Sequence, residues 1–152
     1  MPHLKLLIKL SIFALLCLSA VSCQQKTSVP SQEIYNLWFK AIRENDFGQL
    51  TKLHLKNNIG WNFRNDHDHT TLMSACHFGH YDLVRKLIDL DVDVNILDQK
   101  NFNAIAYAVY GLGDIVSKVK IINLLLEKQA DPFIETEFKS RAVFAMIENK
   151  LI

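Results

Sequence analysis

From Gln32 onward the apolar residues recur at helical spacing. In "IYNLWFKAI", Ile34, Leu37, Trp38, Ala41 and Ile42 share one face, the i, i+3, i+4 stripe of a helix with one buried side. "DLVRKLIDL" repeats the pattern with Leu83, Val84, Leu87 and Ile88, and "VKIINLLLEKQ" with Val119, Ile122, Leu125 and Leu126. "RAVFAMIENKLI" is the last such segment. Strand-type alternation is nearly absent, so the expected fold class is all-α. Each predicted helix has only about 8–12 residues, too few to be stable alone in water. The helices must therefore pack in pairs.

The pairs repeat along the chain. Leu72 and Ile105 lie 33 residues apart, as do Ala75 and Ala108, whereas Asp93 and Asp131 lie 38 apart, one repeat plus five. Local chemistry agrees with that phase. Thr70 precedes a helix and can cap its first amides. Gly79 can take the left-handed conformation that ends a helix. Asp93 and Asn95 suit side-chain bonds to the backbone of a turn. Small Ala75 and Ala108 let neighbouring helices approach closely. One helix pair cannot bury its apolar face alone, so successive pairs stack into a solenoid.

In the second copy, Thr70, Thr71, Leu72, Met73, Ala75, Gly79, His80, Val84, Leu87, Asp93, Val94 and Asn95 fall in register. This copy resembles the ankyrin repeat, whose signature is T-P-L-H-x-A-A, G-H, L-L and G-A-D-V-N. Thr71 stands where Pro is usual, and Met73 where His is usual, so the Thr–His hydrogen bond is expected to be missing. Asp91 replaces the usual Gly, which predicts a less well capped helix end. The first copy, about residues 34–64, needs one extra residue and has Gly60 where Asp is expected. The third, about 100–134, carries its five extra residues around Gly111–Lys118, and the last starts near 138 and stops after one helix. The resemblance covers roughly 34–152 and implies three full repeats plus a C-terminal half repeat. It also implies a non-enzymatic module that binds a protein partner through its concave face; the chain is expected to be a monomer, although the apolar end "KLI" could close the stack or seat another chain.

The first residues follow a different logic. Lys5 and Lys9 precede an apolar run from Leu10 to Val21, the order of a secretory signal peptide over 1–22. A run of 12 residues is short for a transmembrane anchor, which takes about 20. "LSAVSC" resembles a bacterial lipobox, which implies that Cys23 becomes the lipidated first residue of the mature chain. Ala20 departs from the usual Leu, and "AVS" would also serve ordinary signal peptidase, leaving Cys23 as a free thiol. Gln24 rather than Asp follows the Cys, which in enterobacteria points to the outer membrane, with the domain facing the periplasm. Residues 23–33 form the lipidated Cys and a polar tether, whose "QQKTSVPS" would reach about 25–30 Å when extended. The folded domain is expected over 34–152.

Charge narrows the function classes. The chain has 17 basic and 16 acidic residues. Cleavage after Ser22 removes Lys5 and Lys9 and no acid, leaving 15 against 16, or −1. Such a balance gives no electrostatic basis for nucleic-acid binding. Of three cysteines, Cys17 leaves with the signal and Cys23 takes lipid, so Cys76 has no internal disulfide partner and stability must come from packing.

Four groups could carry chemistry. In "CHFGH", Cys76, His77 and His80 are all potential ligands, but zinc requires convergence at about 2.0–2.3 Å. The repeat phase instead turns Cys76 to the core, His77 to the concave face and His80 to the start of the next helix. In "NDHDH", His67 and His69 share one side of an extended finger between repeats, which leaves metal or haem handling as a reading from a different class. No nucleophile elbow, phosphate loop or H-E-x-x-H motif occurs, so no catalytic residue, metal site or cofactor is expected. Arg64, Phe102, Tyr107 and Tyr110 join His67, His69 and His77 as candidate partner-binding residues, since Tyr and Arg are favoured interface anchors. Tyr107, His77 and Arg64 are expected to be exposed. For each of Phe63, Phe78 and Phe102, exposed contact and packing between repeats are equal expectations. The insertion Gly111–Lys118 is either a recognition loop or a tolerated surface change. The specific roles in view are an immunity protein against a periplasm-delivered toxin and a scaffold or accessory subunit of an envelope enzyme.

Overall fold

The computed structural model describes residues 30–134, which form six helices and no strand. The signal peptide, Cys23 and the C-terminal half repeat expected from 138 lie outside the described residues. The helices are α1 (Gln32–Arg43), α2 (Phe47–Asn57), α3 (Thr71–Phe78), α4 (Tyr81–Asp89), α5 (Ala104–Tyr110) and α6 (Ile115–Glu127). They pair as α1–α2, α3–α4 and α5–α6, with α1, α3 and α5 in an inner row. Between pairs the chain projects as fingers, each returning to the next inner helix. Helix α1 begins two residues before its apolar stripe because Ser31 supplies its N-cap.

The repeat phase is written in the backbone. Left-handed residues close the outer helices at Asn58 (φ 52°), Asp91 (φ 56°) and Gln129 (φ 62°). Asp91 thus adopts the conformation that Gly would take, and its N–H bonds the Ile88 carbonyl at 3.0 Å, so the helix end is capped after all. Asp68 (φ 62°) and Asn101 (φ 59°) occupy equivalent finger tips. Thr70 and Asn103, also one repeat apart, cap α3 and α5 by accepting from the N–H of Met73 and Ala106 at 3.2 and 3.0 Å. The missing Thr–His bond has a substitute: the Thr70 N–H points at the Met73 sulfur at 3.3 Å.

The core runs through both rows. Trp38, Ile42, Leu72, Leu83, Leu87, Ile105, Ile121 and Leu125 are almost wholly buried. The α4 stripe is buried as its spacing predicts. Two others shift. Leu37 is 38% exposed, and in α6 Ile121 takes the core place while Leu126 is 39% exposed. Repeats are tied by polar bonds as well. The Trp38 indole donates to Thr71 Oγ1 at 3.0 Å in a buried site. Asn95 donates to the Gln129 carbonyl at 3.0 Å and accepts from the Asp131 N–H at 2.8 Å. On the outer row, Lys86 of α4 sits over the Phe47 ring that opens α2 (4.8 Å), and Lys120 of α6 over the Tyr81 ring that opens α4 (5.9 Å). Both pairs are 39 residues apart and hold the same places in their helices.

The insertion is built into this packing. Two of its five residues lengthen the turn between α5 and α6, and four lengthen α6, against one lost from α5. The turn lies against the preceding one at two glycines: a Cβ on Gly79 (φ 74°) would lie 2.5 Å from Gly113 Cα. Gly111 is equally tight, since a Cβ there would run into the His77 carbonyl. The Leu112 N–H donates to that carbonyl at 2.6 Å, and Lys118 Nζ donates to the Val109 carbonyl at 3.1 Å. The insertion therefore latches the third repeat to the second.

Candidate functional site on the concave face

The fingers are shaped by Asx turns. Asn65 Oδ1 accepts from the N–H groups of His67 and His69, both at 2.9 Å. One repeat later, Asp98 Oδ1 accepts from Lys100 and Phe102, both at 2.8 Å. Backbone bonds close each loop, Asn65 to His69 and Asp98 to Phe102, at 3.0 Å. The "NDHDH" segment is therefore a tight turn rather than extended chain. Its two rings stand 5.8 Å apart and tilted by 46°. Among the described residues, no three His, Cys, Asp or Glu side chains converge as metal ligands.

The second oxygen of Asp98 does different work. The Tyr107 hydroxyl donates to Asp98 Oδ2 at 2.7 Å. Having given its only proton there, it accepts from His69 Nε2 at 2.6 Å, which fixes the Nε2–H tautomer. His69 Nε2 is also 3.4 Å from Asp98 Oδ2, and the Asp98 side chain is only 1% exposed. One buried carboxylate thus joins the finger before α3, the finger before α5, and α5 itself. Burial lowers the His69 pKa below its usual value; the nearby Asp98 opposes that shift, and His67 and His77 add to it. Burial and the Asp98 hydrogen bond both raise the Tyr107 pKa, so its phenol stays protonated. His77 is lowered by burial and then by the charge on Lys118.

These residues line a recess on the face made by the inner helices and fingers. One lobe, of about 420 Å³, is bounded by His67, His69, His77, Phe102, Tyr107 and Tyr110, with Asp98, Gln99, Lys100 and Ala106. A second, of about 250 Å³, adds Phe39, Arg43, Ser74 and Phe78, and shares His69, His77 and Tyr107 with the first. Six of the seven candidate contact residues therefore gather around one concavity. Arg64 does not line it; its guanidinium is exposed and 3.8 Å from Asp68.

Several side chains depart from expectation. Tyr107 and His77 are half-buried rather than exposed, because the Asp98 network draws Tyr107 inward and the insertion turn covers the end of α3. Of the two alternatives for Phe63, Phe78 and Phe102, all three take packing, each lying partly against the core. Phe102 also stacks on Tyr110, with ring centroids 5.8 Å apart. Tyr110 remains 46% exposed. "CHFGH" divides as the phase requires. Cys76 is fully buried, and its thiol is pushed far up in pKa by burial. His80 opens α4, with Nε2 donating to the Arg43 carbonyl at 3.0 Å. Asp98 escapes a reading of the sequence. Its only signal is that it sits one repeat after Asn65, so a side chain that builds a finger was to be expected there.

A family profile of ankyrin repeats (three copies) matches residues 38–136. No curated protein matches the chain. Ankyrin repeats are in general protein–protein interaction modules and typically non-enzymatic. The chain, with its three stacked helix pairs in the same register, belongs to the ankyrin-repeat family.

Proposed function

We propose that this chain is a non-enzymatic protein-binding module, held at the cell envelope by lipid on Cys23, at the outer membrane facing the periplasm. Its concave recess captures a protein partner, and the monomer suffices. The observation that carries this reading is the gathering of aromatic and histidine side chains at one concavity, with Tyr110 exposed at its edge. Interfaces favour such rigid aromatic anchors, whose binding costs little conformational entropy. A small tethered module of one domain suits an immunity protein that neutralises a toxin delivered to the periplasm. The alternative is a scaffold or accessory subunit of an envelope enzyme. Metal or haem handling gains no support from the finger, because His69 Nε2 is committed to Tyr107.

The test is capture from envelope extract by the wild-type chain and by a Tyr110→Glu, His67→Glu variant. Both residues are exposed, so the fold is expected to survive. The wild type should retain a partner that the variant loses. Equal recovery by both would move the binding face elsewhere. Co-expression with the product of the neighbouring open reading frame separates the two roles: rescue from toxicity supports immunity, and activation or assembly of an enzyme supports the scaffold. Metabolic labelling with a fatty-acid analogue checks the anchor, since Cys23→Ser should abolish the label.

A further inference from the structure

The finger before α3 is held to the next repeat through an imidazole. Among the described residues, two hydrogen bonds tie its tip across that boundary: His69 Nε2 to the Tyr107 hydroxyl at 2.6 Å, and Gln99 Nε2 to the Asp66 carbonyl at 2.9 Å. Of the two, only the first can titrate near neutral pH. Charged and titratable groups surround His69. Its own finger carries Arg64, Asp66, His67 and Asp68, with the His67 ring centroid 5.8 Å away. The finger before α5 brings Asp98 and Lys100, α3 brings His77, and α5 brings Tyr107 and Tyr110. Lys118 of α6 acts on His77, and Arg43 of α1 lines the smaller lobe with it.

The neutral ring suits this place and the charged ring does not. An imidazolium would have to give up water for a half-buried site, and that burial outweighs the attraction of Asp98. Asp98 cannot follow the ring outward, because it is 1% exposed and is bound by Tyr107 and by the N–H groups of Lys100 and Phe102. Positive charge on His67 or His77 adds repulsion. From this geometry we infer that the recess carries a proton-operated latch: neutral His69 ties the finger before α3 to Tyr107 and Asp98, and its protonation frees that finger while the helix rows stay folded. Opening a finger costs less than unfolding the rows, which hold the buried core. The latched form binds one proton fewer than the open form, so it gives way as the pH falls below about 6.5, the ordinary imidazole value. His67 and His69 line the larger lobe, and releasing their finger takes a wall from the recess. The consequence for partner capture rests on the concave-face reading above; the latch itself does not.

The experiment follows amide exchange and imidazole ¹⁵N shifts by NMR on the full chain between pH 7.5 and 5. The reporters are the Asn65 and His69 amides, which close the finger on the His69 carbonyl and the Asn65 side chain. As His69 takes up its second ring proton, their protection should fall about tenfold, within the roughly thirtyfold that 1.5 pH units below 6.5 allow. The amides of Ile42, Leu87 and Leu125 should keep their protection. His69→Gln retains a donor and does not titrate, so it should hold the finger closed throughout this range. Tyr107→Phe removes the acceptor and should leave the finger open already at pH 7.5. A His69 that stays neutral at pH 5 overturns the proposal. So does protection that ignores its titration, that is lost in finger and rows together, or that falls equally in His69→Gln. Capture from envelope extract should weaken along the same curve. With a working latch, equal capture at both pH values overturns its role in binding, and capture at neither counts against the concave-face reading alone.

Discussion

Removing the Asp98 carboxylate should unpick the concave face from its centre. Replacement by Ala leaves three donors without their acceptor: the N–H groups of Lys100 and Phe102 and the Tyr107 hydroxyl. A hydrogen bond to a charged acceptor contributes about 1.5–3 kcal/mol. Lys100 is exposed and its N–H can regain water, while Phe102 and Tyr107 are partly buried. The Tyr107 hydroxyl can turn to His69 Nε2, so the Phe102 N–H is the donor left unpaired, and Asp98→Ala should cost about 2–3 kcal/mol, a large share of the 5–15 kcal/mol typical of a domain. Asp98→Asn is a sharper perturbation. An amide oxygen suffices for the finger, as Asn65 shows in the preceding repeat. What the amide cannot do is accept from Tyr107 with its other end. The Tyr107 proton must then turn to His69 Nε2, which forces His69 into the Nδ1–H tautomer. Asp98→Asn should cost about 1 kcal/mol, roughly one hydrogen bond. Urea unfolding measures the stabilities, and ¹⁵N chemical shifts of the imidazole report the tautomer. In a Tyr107→Phe background, Asp98→Asn should cost almost nothing further, since the pair that couples them is gone. Equal costs for Asp98→Ala and Asp98→Asn, or additive costs for Asp98→Asn and Tyr107→Phe, would refute the division of labour between the two oxygens.

Other consequences are open to the same methods. Gly79→Ala places a Cβ against Gly113 Cα in a left-handed residue, and should cost at least about 2 kcal/mol by urea unfolding; a loss below about 0.5 kcal/mol would mean that the two turns do not touch. Trp38→Phe removes the indole donor to buried Thr71 and should cost about 2 kcal/mol, more than Trp38→Phe with Thr71→Val in the same chain, where both partners are gone. His69 and His77 have folded pKa values lowered by burial, so the unfolded chain takes up protons first as pH falls through about 6.5. The stability they contribute is complete above that pH and is lost on acidification toward their folded values. The urea midpoint should fall between pH 8 and 5, and fall less in a His69→Gln, His77→Gln variant; a midpoint that rises on acidification would contradict the assignment. Replacing Lys86 by Gln should cost about 0.5 kcal/mol through the Phe47 ring contact, and Phe47→Leu should remove most of that penalty.

The fold was legible because its determinants are local and periodic. The α4 stripe Leu83, Val84, Leu87, Ile88 is buried as read, and Gly79 and Thr70 perform the cap roles their chemistry suits. The α6 stripe was misplaced because "IINLLLE" is apolar on more than one side. Periodicity then fixes a stripe but not its centre, and the partner helices choose Ile121 over Leu126. Asp91 shows the same limit: the structure needs a left-handed residue there, and Asp enters that conformation more readily than most residues other than Gly.

The candidate site was legible only as a set of positions. Their spacing placed His67, His69, His77, Phe102, Tyr107 and Tyr110 on inner helices and fingers, and the solenoid gathers them. Their states were not legible. Tyr107 is drawn inward by an aspartate nine residues before it and a histidine 38 residues before it, contacts that exist only when two fingers stand side by side. The five-residue insertion likewise looked like a free loop until Gly113 met Gly79 across the repeat boundary.

The most direct test of the binding face is site-specific photo-crosslinking in intact cells. A benzophenone amino acid at Tyr110, at the edge of the recess, should yield a discrete heavier adduct. The same probe at Asn123, exposed on the outer helix α6, should yield none. Adducts from Asn123 with none from Tyr110 would place the partner on the opposite face and contradict the account.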